Sequence, residues 1–151
     1  MPKGIKYKNP PRRIYKYIHR VVHGPMGSTE STTTLFTATK PITLVGIVGN
    51  LATIEHTNAG AGFVAITKNV DGVAPYSLDT GPVTDQDAKD TLWSASIAST
   101  SEFCTVMDVK TKGMRKLEKD DTIQFKSLEQ SAMIDSVCDI ILSLTMIFKE
   151  V

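Results

Sequence analysis

The chain of 151 residues has no long hydrophobic run. A membrane-spanning helix needs about 20 consecutive apolar residues, and the longest apolar run here, "IILSLTMIF" near the C-terminus, is too short. No 7–15-residue apolar stretch follows the N-terminal positive charges, so the expectation is a chain made in the cytoplasm without a signal peptide. Cysteine is scarce: Cys104 and Cys138 have no C-x-x-C spacing, which removes the usual zinc signature. Both lie beside apolar residues in expected strands, either as buried free thiols or as a disulfide with each other. Histidine is scarce too. His19 and His23 have no acid or cysteine near them in sequence, and His56 stands alone beside Glu55. There is no G-x-S-x-G elbow. "GIVGN" (46–50) lacks the lysine of a phosphate loop. Asp85, Asp87 and Asp90 lack the glycine and glutamate that would complete a calcium loop. No set of nucleophile, base and oxyanion donor assembles, so the expectation is a protein that is not an enzyme and uses no cofactor or metal.

Acidic residues are absent from the first 24 positions. Lys3, Lys6, Lys8, Arg12, Arg13, Lys16 and Arg20 give that segment a charge of +7, while the other 10 bases and all 16 acids leave residues 25–151 at −6. A basic segment on an acidic body points to a polyanion, either nucleic acid or an anionic membrane surface. Within "NPPRRIYKYIHRVVHG", Ile14, Tyr17, Ile18, Val21 and Val22 recur at i, i+3, i+4, i+7 and i+8. That spacing predicts a short amphipathic helix, begun after Pro10-Pro11 and ended by Gly24-Pro25. A helix of this length is marginal alone in water and needs a partner surface. Contact between subunits is one such surface for the stripe. Residues 1–24 therefore read as a basic N-terminal arm and 25–31, rich in Gly, Pro, Ser and Thr, as a linker.

From Thr32 the period changes to two. "TTTLFTATKPITLVGIVGNLATIEH" is β-branched and broken at Pro41. "GFVAITKNV" is closed by the turn Asp71-Gly72. "TLWSASIAS", "EFCTVMDVKT", "DTIQFKSL" and "SVCDIILSLTMIFKEV" follow. Short strands separated by turn clusters argue for an antiparallel β-sandwich over 32–151. The loop 71–90 is long enough to be functional surface. Ile123 and Phe125 share one strand face and should point between the sheets with Trp93 and Ile140–Phe148. Gln124 and Lys126 should take the other, solvated face.

In "KGMRKLEKDDTIQF" (112–125), a basic turn leads through Leu117 to a tight acidic turn and a strand. Leu117, Asp121, Ile123 and Phe125 resemble the "L-x-x-G-D-x-I-x-F" pattern of jelly-roll proteins, with Asp120 where glycine is usual. The closing strand "DIILSLTMIFKEV" is similar to a final jelly-roll strand. Two families share this pattern: single jelly-roll capsid (coat) proteins of icosahedral viruses, and trimeric C1q/tumour-necrosis-factor-like modules that recognise a receptor or glycan. Basic arm, linker and sandwich together resemble the coat proteins. That resemblance implies a shell-forming structural protein of the virion. It would be homo-oligomeric, in rings or shells, with the arm facing inward onto genome or inner membrane and other virion proteins among its contacts.

Overall fold

The computed structural model describes residues 14–25, 31–57, 62–72, 91–97, 104–129 and 137–150. Eight strands account for nearly all of them: β1 (Tyr15–Pro25), β2 (Ser31–Thr37), β3 (Ile42–Thr57), β4 (Gly62–Asn69), β5 (Thr91–Ile97), β6 (Cys104–Leu117), β7 (Thr122–Glu129) and β8 (Val137–Lys149). There is no helix among the described residues. The strands form two four-stranded sheets, in the orders β1-β8-β3-β6 and β2-β7-β4-β5. Every pairing is antiparallel, and the first strand pairs with the last, the second with the seventh, the third with the sixth and the fourth with the fifth. The β3–β8 and β4–β7 ladders then complete the two sheets.

Alternation places the core between the sheets. On β8, Ile140, Leu142, Leu144, Met146 and Phe148 are buried, while the residues between them are only half-buried. Ile42, Leu44, Ile47 and Leu51 on β3 lie beside them in the same sheet, and Ile123 and Phe125 on β7 face them from the other, with Trp93 and Ala95 of β5 packed at the margin. Phe36 stacks against Phe148 with ring centroids 4.3 Å apart. Gly49 lets β3 and β8 approach closely: a Cβ there would meet the Ser143 carbonyl oxygen and lie 2.6 Å from the Leu144 Cα. The Asp71-Gly72 turn forms as the sequence predicts, with Gly72 at φ 77°.

The acidic turn is a corner where the chain passes from one sheet to the other. β6 ends at Leu117 in the first sheet and β7 begins at Thr122 in the second. Asp120 turns the corner at φ 73°, a left-handed conformation that aspartate tolerates better than most residues. Its N–H donates to the Ala38 carbonyl (2.7 Å), and the Ala38 N–H donates to the Asp121 carbonyl (2.9 Å). The Asp121 carboxylate is buried. Its Oδ1 accepts the Asp71 N–H at 3.0 Å and its Oδ2 the Glu118 N–H at 2.9 Å. One side chain thus joins the β6–β7 corner to the end of β4, and its backbone reaches the β2–β3 connection.

Three expectations need correction. The segment carrying the stripe is not a helix. Residues 15–25 pair along their whole length with β8. The reason is that a spacing of four satisfies both periods: Ile18 and Val22 share a strand face as well as a helix face. An eleven-residue ladder with a β-branched partner also outweighs a marginal isolated helix. The "basic turn" at 112–115 belongs to β6. The strand absorbs it as a register irregularity, because Leu44 pairs with Arg115 while Gly46 pairs with Lys110. Lys126 lies on the face predicted for it, but that face is covered: it is 2% exposed, beside buried Ala65, Thr67 and Leu128.

Four stability outcomes follow from these positions. Asp121→Ala should cost about 1–3 kcal/mol in denaturant unfolding, because two part-buried N–H groups lose a charged acceptor, whereas Asp120→Gly should be neutral or slightly stabilising. Phe125→Ala should cost about 3–5 kcal/mol. Lys126→Ala should cost on the order of 1–3 kcal/mol rather than nothing, since its buried side chain has polar contacts to lose.

Candidate functional site: the outer face of the first sheet

The seven candidate polyanion residues do not share one described surface. Lys3, Lys6, Lys8, Arg12 and Arg13 lie outside the described residues. Lys16 and Arg20 lie on β1 in register with Phe148 and Leu144, on the inward-facing side of that strand. Lys16 remains exposed at the strand start. Arg20 bends over the sandwich edge, donating from Nε to the Leu35 carbonyl of β2 (3.1 Å) and from Nη1 to the His19 carbonyl (3.1 Å). It therefore ties the two sheets together on the β1–β2 side.

Other cations make the same kind of tie. Lys68 of β4 donates from Nζ to the Lys116 carbonyl of β6 (2.8 Å), and Arg115 of β6 donates from Nη2 to the Thr91 carbonyl of β5 (3.3 Å). In each case a long alkyl stem crosses apolar surface and the charged head reaches a carbonyl on the opposite sheet. Sequence reasoning missed this role because nothing in a single strand marks which basic residue reaches across.

β1 divides the apolar stripe between two faces. Ile18 and Val22 pack against the main core. Tyr17 and Val21 point the opposite way and are 65% and 55% exposed, and Ile14, just before the strand, is 57% exposed. His19 and His23 also point outward. Four residues along a strand span about 13 Å, so the pair cannot close on one metal ion as it could on a helix. His19 instead lies with its Nδ1 3.2 Å from Thr145 Oγ1 on β8.

Across the first sheet these outward residues form rows. One row reads His19, Thr145, Val48, Asp108. The next reads Val21, Ser143, Asn50, Val106. Val48 is 40% and Val106 80% exposed. The face is broad and open, with exposed apolar side chains on both edge strands and on β3 and with Thr145, Ser143 and Asn50 among them. The second sheet differs: Ala65, Thr67, Lys126 and Leu128 on its outer face are all buried. Elsewhere, a cleft of about 260 Å³ opens between β1–β8 and β2–β7, with Ser31, Thr33 and Ser127 over Phe125 and Ile140. Among the described residues, no group of three His, Cys, Asp or Glu side chains could hold a metal ion. The side chains of Cys104, Cys138 and His56, the linker residues 26–30, and most of the loop 71–90 with its aspartates lie outside the description.

No family model matches the sequence, and no curated protein matches it. Among solved structures, a chain from the Bacillus endospore appendages, a family of disulfide-linked pili, is similar over 93% of this chain and 92% of its own, at 10% identity and a TM-score of 0.48. A chain of infectious bursal disease virus, Gx strain, is similar over 91% of this chain at 12% identity and a TM-score of 0.44; this chain spans 32% of its length. A chain of desmodium yellow mottle tymovirus matches over 99% and 96% at 9% identity and a TM-score of 0.36. The neighbours are thus viral capsid proteins and a spore pilus protein, alike in outline only.

The cross-sheet role of Arg20 predicts an effect on stability. Arg20→Ala should lower the unfolding free energy by about 1–3 kcal/mol, from lost hydrogen bonds and lost alkyl packing. A thermal or urea melt reads this directly.

Proposed function

We propose that this protein is a self-assembling structural subunit, a single jelly roll of the kind that builds the shells of icosahedral viruses. The nested pairing of strands supports the jelly-roll reading. A chain doubled into one long hairpin, then rolled so that its arms alternate between two sheets, pairs its strands in this order. Jelly rolls serve coats, lectins and cupins alike, so topology alone does not choose a function.

The observation that carries the choice is the open apolar outer face of the first sheet. Tyr17, Val21, Val48 and Val106 stand exposed together on it. Patches of this kind on a soluble domain mark contact surfaces. The partner in this reading is the protein itself, in rings or a closed shell. The basic residues from Lys3 to Arg13 extend the N-terminal side of β1 and face the interior, against a nucleic acid or the anionic surface of an inner membrane. The location is the virion, and no chemical step is involved.

Electron microscopy and sedimentation of the purified full chain test this reading. Rings or hollow particles are the expected result. A mass that stops at a trimer would favour the C1q-like binding module, and a monomer at all accessible concentrations would remove the assembly reading. Retention of nucleic acid or anionic vesicles should fall steeply with salt. Glutamine at Arg12, Arg13 and Lys16 together should flatten that dependence.

A further inference from the structure

We infer that the outer face of the first sheet packs against the same face of a second copy, about a twofold axis that runs parallel to the strands. This rests on the assembly reading above and specifies one of its contacts. Three observations carry it.

The first is size. Four strands at about 4.8 Å spacing and nine residues at about 3.4 Å make a face of roughly 600 Å². That equals the contribution of each partner in the smaller stable interfaces, about 600 Å². The second is composition. Its most exposed apolar side chains, Tyr17 and Val21 on β1 and Val106 on β6, stand on the two edge strands with Val48 and Ile147 between them, and Thr145, Ser143 and Asn50 place neutral polar groups in the middle. Apolar and neutral polar side chains with few charges among them are the composition of an interface core.

The third is charge arrangement, and it selects the axis. His19 lies at the β1 edge and Asp108 at the β6 edge of one row, with Thr145 and Val48 between them. A twofold axis along the strands exchanges the two edges and keeps the rows. It brings His19 of one copy opposite Asp108 of the other, twice, and Val21 opposite Val106, twice. Because Nδ1 of His19 lies against Thr145, the other ring nitrogen is the one directed to the carboxylate. An axis perpendicular to the strands would instead set β1 on β1 and β6 on β6, so that neither His19 could meet the Asp108 of the other copy. Two sheets of the same twist stacked in the strand-parallel way pack as the layers of a sandwich do.

The test uses the full chain in sedimentation velocity with parallel electron microscopy. Val106→Arg should weaken the face-to-face contact by at least about a hundredfold, since it places a charge against the apolar Val21 of the second copy. The far-ultraviolet circular dichroism should be unchanged, because Val106 is exposed in the single copy. His19→Asp and Asp108→His should each weaken the contact by about tenfold or more, and the double variant should restore it to within about threefold. Wild-type assembly with Val106→Arg assembling equally well would overturn the inference while leaving the assembly reading in place. A monomeric wild type would overturn both. Failure of the double variant to recover would reject the strand-parallel axis. Loss of binding to anionic vesicles in Val106→Arg, with mass unchanged, would reassign the face to lipid.

Discussion

The buried carboxylate of Asp121 is the constraint on which the sandwich depends. Three connections that carry the chain between or out of the sheets converge on its residue. They are the β6–β7 corner through Glu118, the end of β4 through Asp71, and the β2–β3 connection through Ala38. Without a fixed corner, the inward faces of β6 and β7 would not meet. A one-residue slip at the corner would turn Ile123 and Phe125 away from the core. The same end of the molecule also holds Leu117 and Ile123, both fully buried, so the polar latch and the apolar packing act on the same few residues.

The two sheets are then held at their margins by cations as well as by apolar contacts such as those of Ile18, Val22 and Trp93. Arg20 works on one side of the sandwich, and Lys68 and Arg115 on the other. This use of positive charge separates two roles that look alike in sequence. The lysines and arginines before residue 14 lie outside the described residues and belong to the proposed polyanion contact, whereas Arg20 reaches back into its own fold. The outer faces are unequal as well. One is covered and includes a buried lysine; the other is open and apolar. A fold that served only to be stable would not need this difference.

Much of the fold was legible in the sequence because alternation is a direct consequence of strand geometry. Ile123, Phe125 and the strand Ile140–Phe148 were read as core in that way; Ile123, Phe125 and the even-numbered residues of that strand are core. Asp120 was readable as a left-handed turn because few residues replace glycine there. The segment from Ile14 to Val22 was misread as helical because its apolar positions satisfy a helix and are also compatible with a strand. Only the ladder with β8, more than a hundred residues away, decides between the two. Lys126 was placed on the right face with the wrong exposure, since alternation tells which side a residue takes and not what covers that side. Of the candidate site, the charge excess was visible from composition. The rows that bring His19, Val48 and Asp108 onto one face exist only after four strands distant in sequence have paired.

The position of β8 between β1 and β3 has a consequence for how the molecule comes into being. The first sheet lacks one of its two central strands until residues 137–149 are available, so β1 and β3 cannot join that sheet through local contacts alone. Contacts this distant in sequence make folding slow relative to helical domains of similar size. During synthesis, β3 and β6 can pair while the edge of β3 that β8 will occupy stays unpaired, and an unpaired strand edge is a template for foreign strands. The strand that closes the edge most at risk is therefore the eighth of these eight in chain order, and the life of a nascent chain up to its arrival is set by elongation rather than by stability.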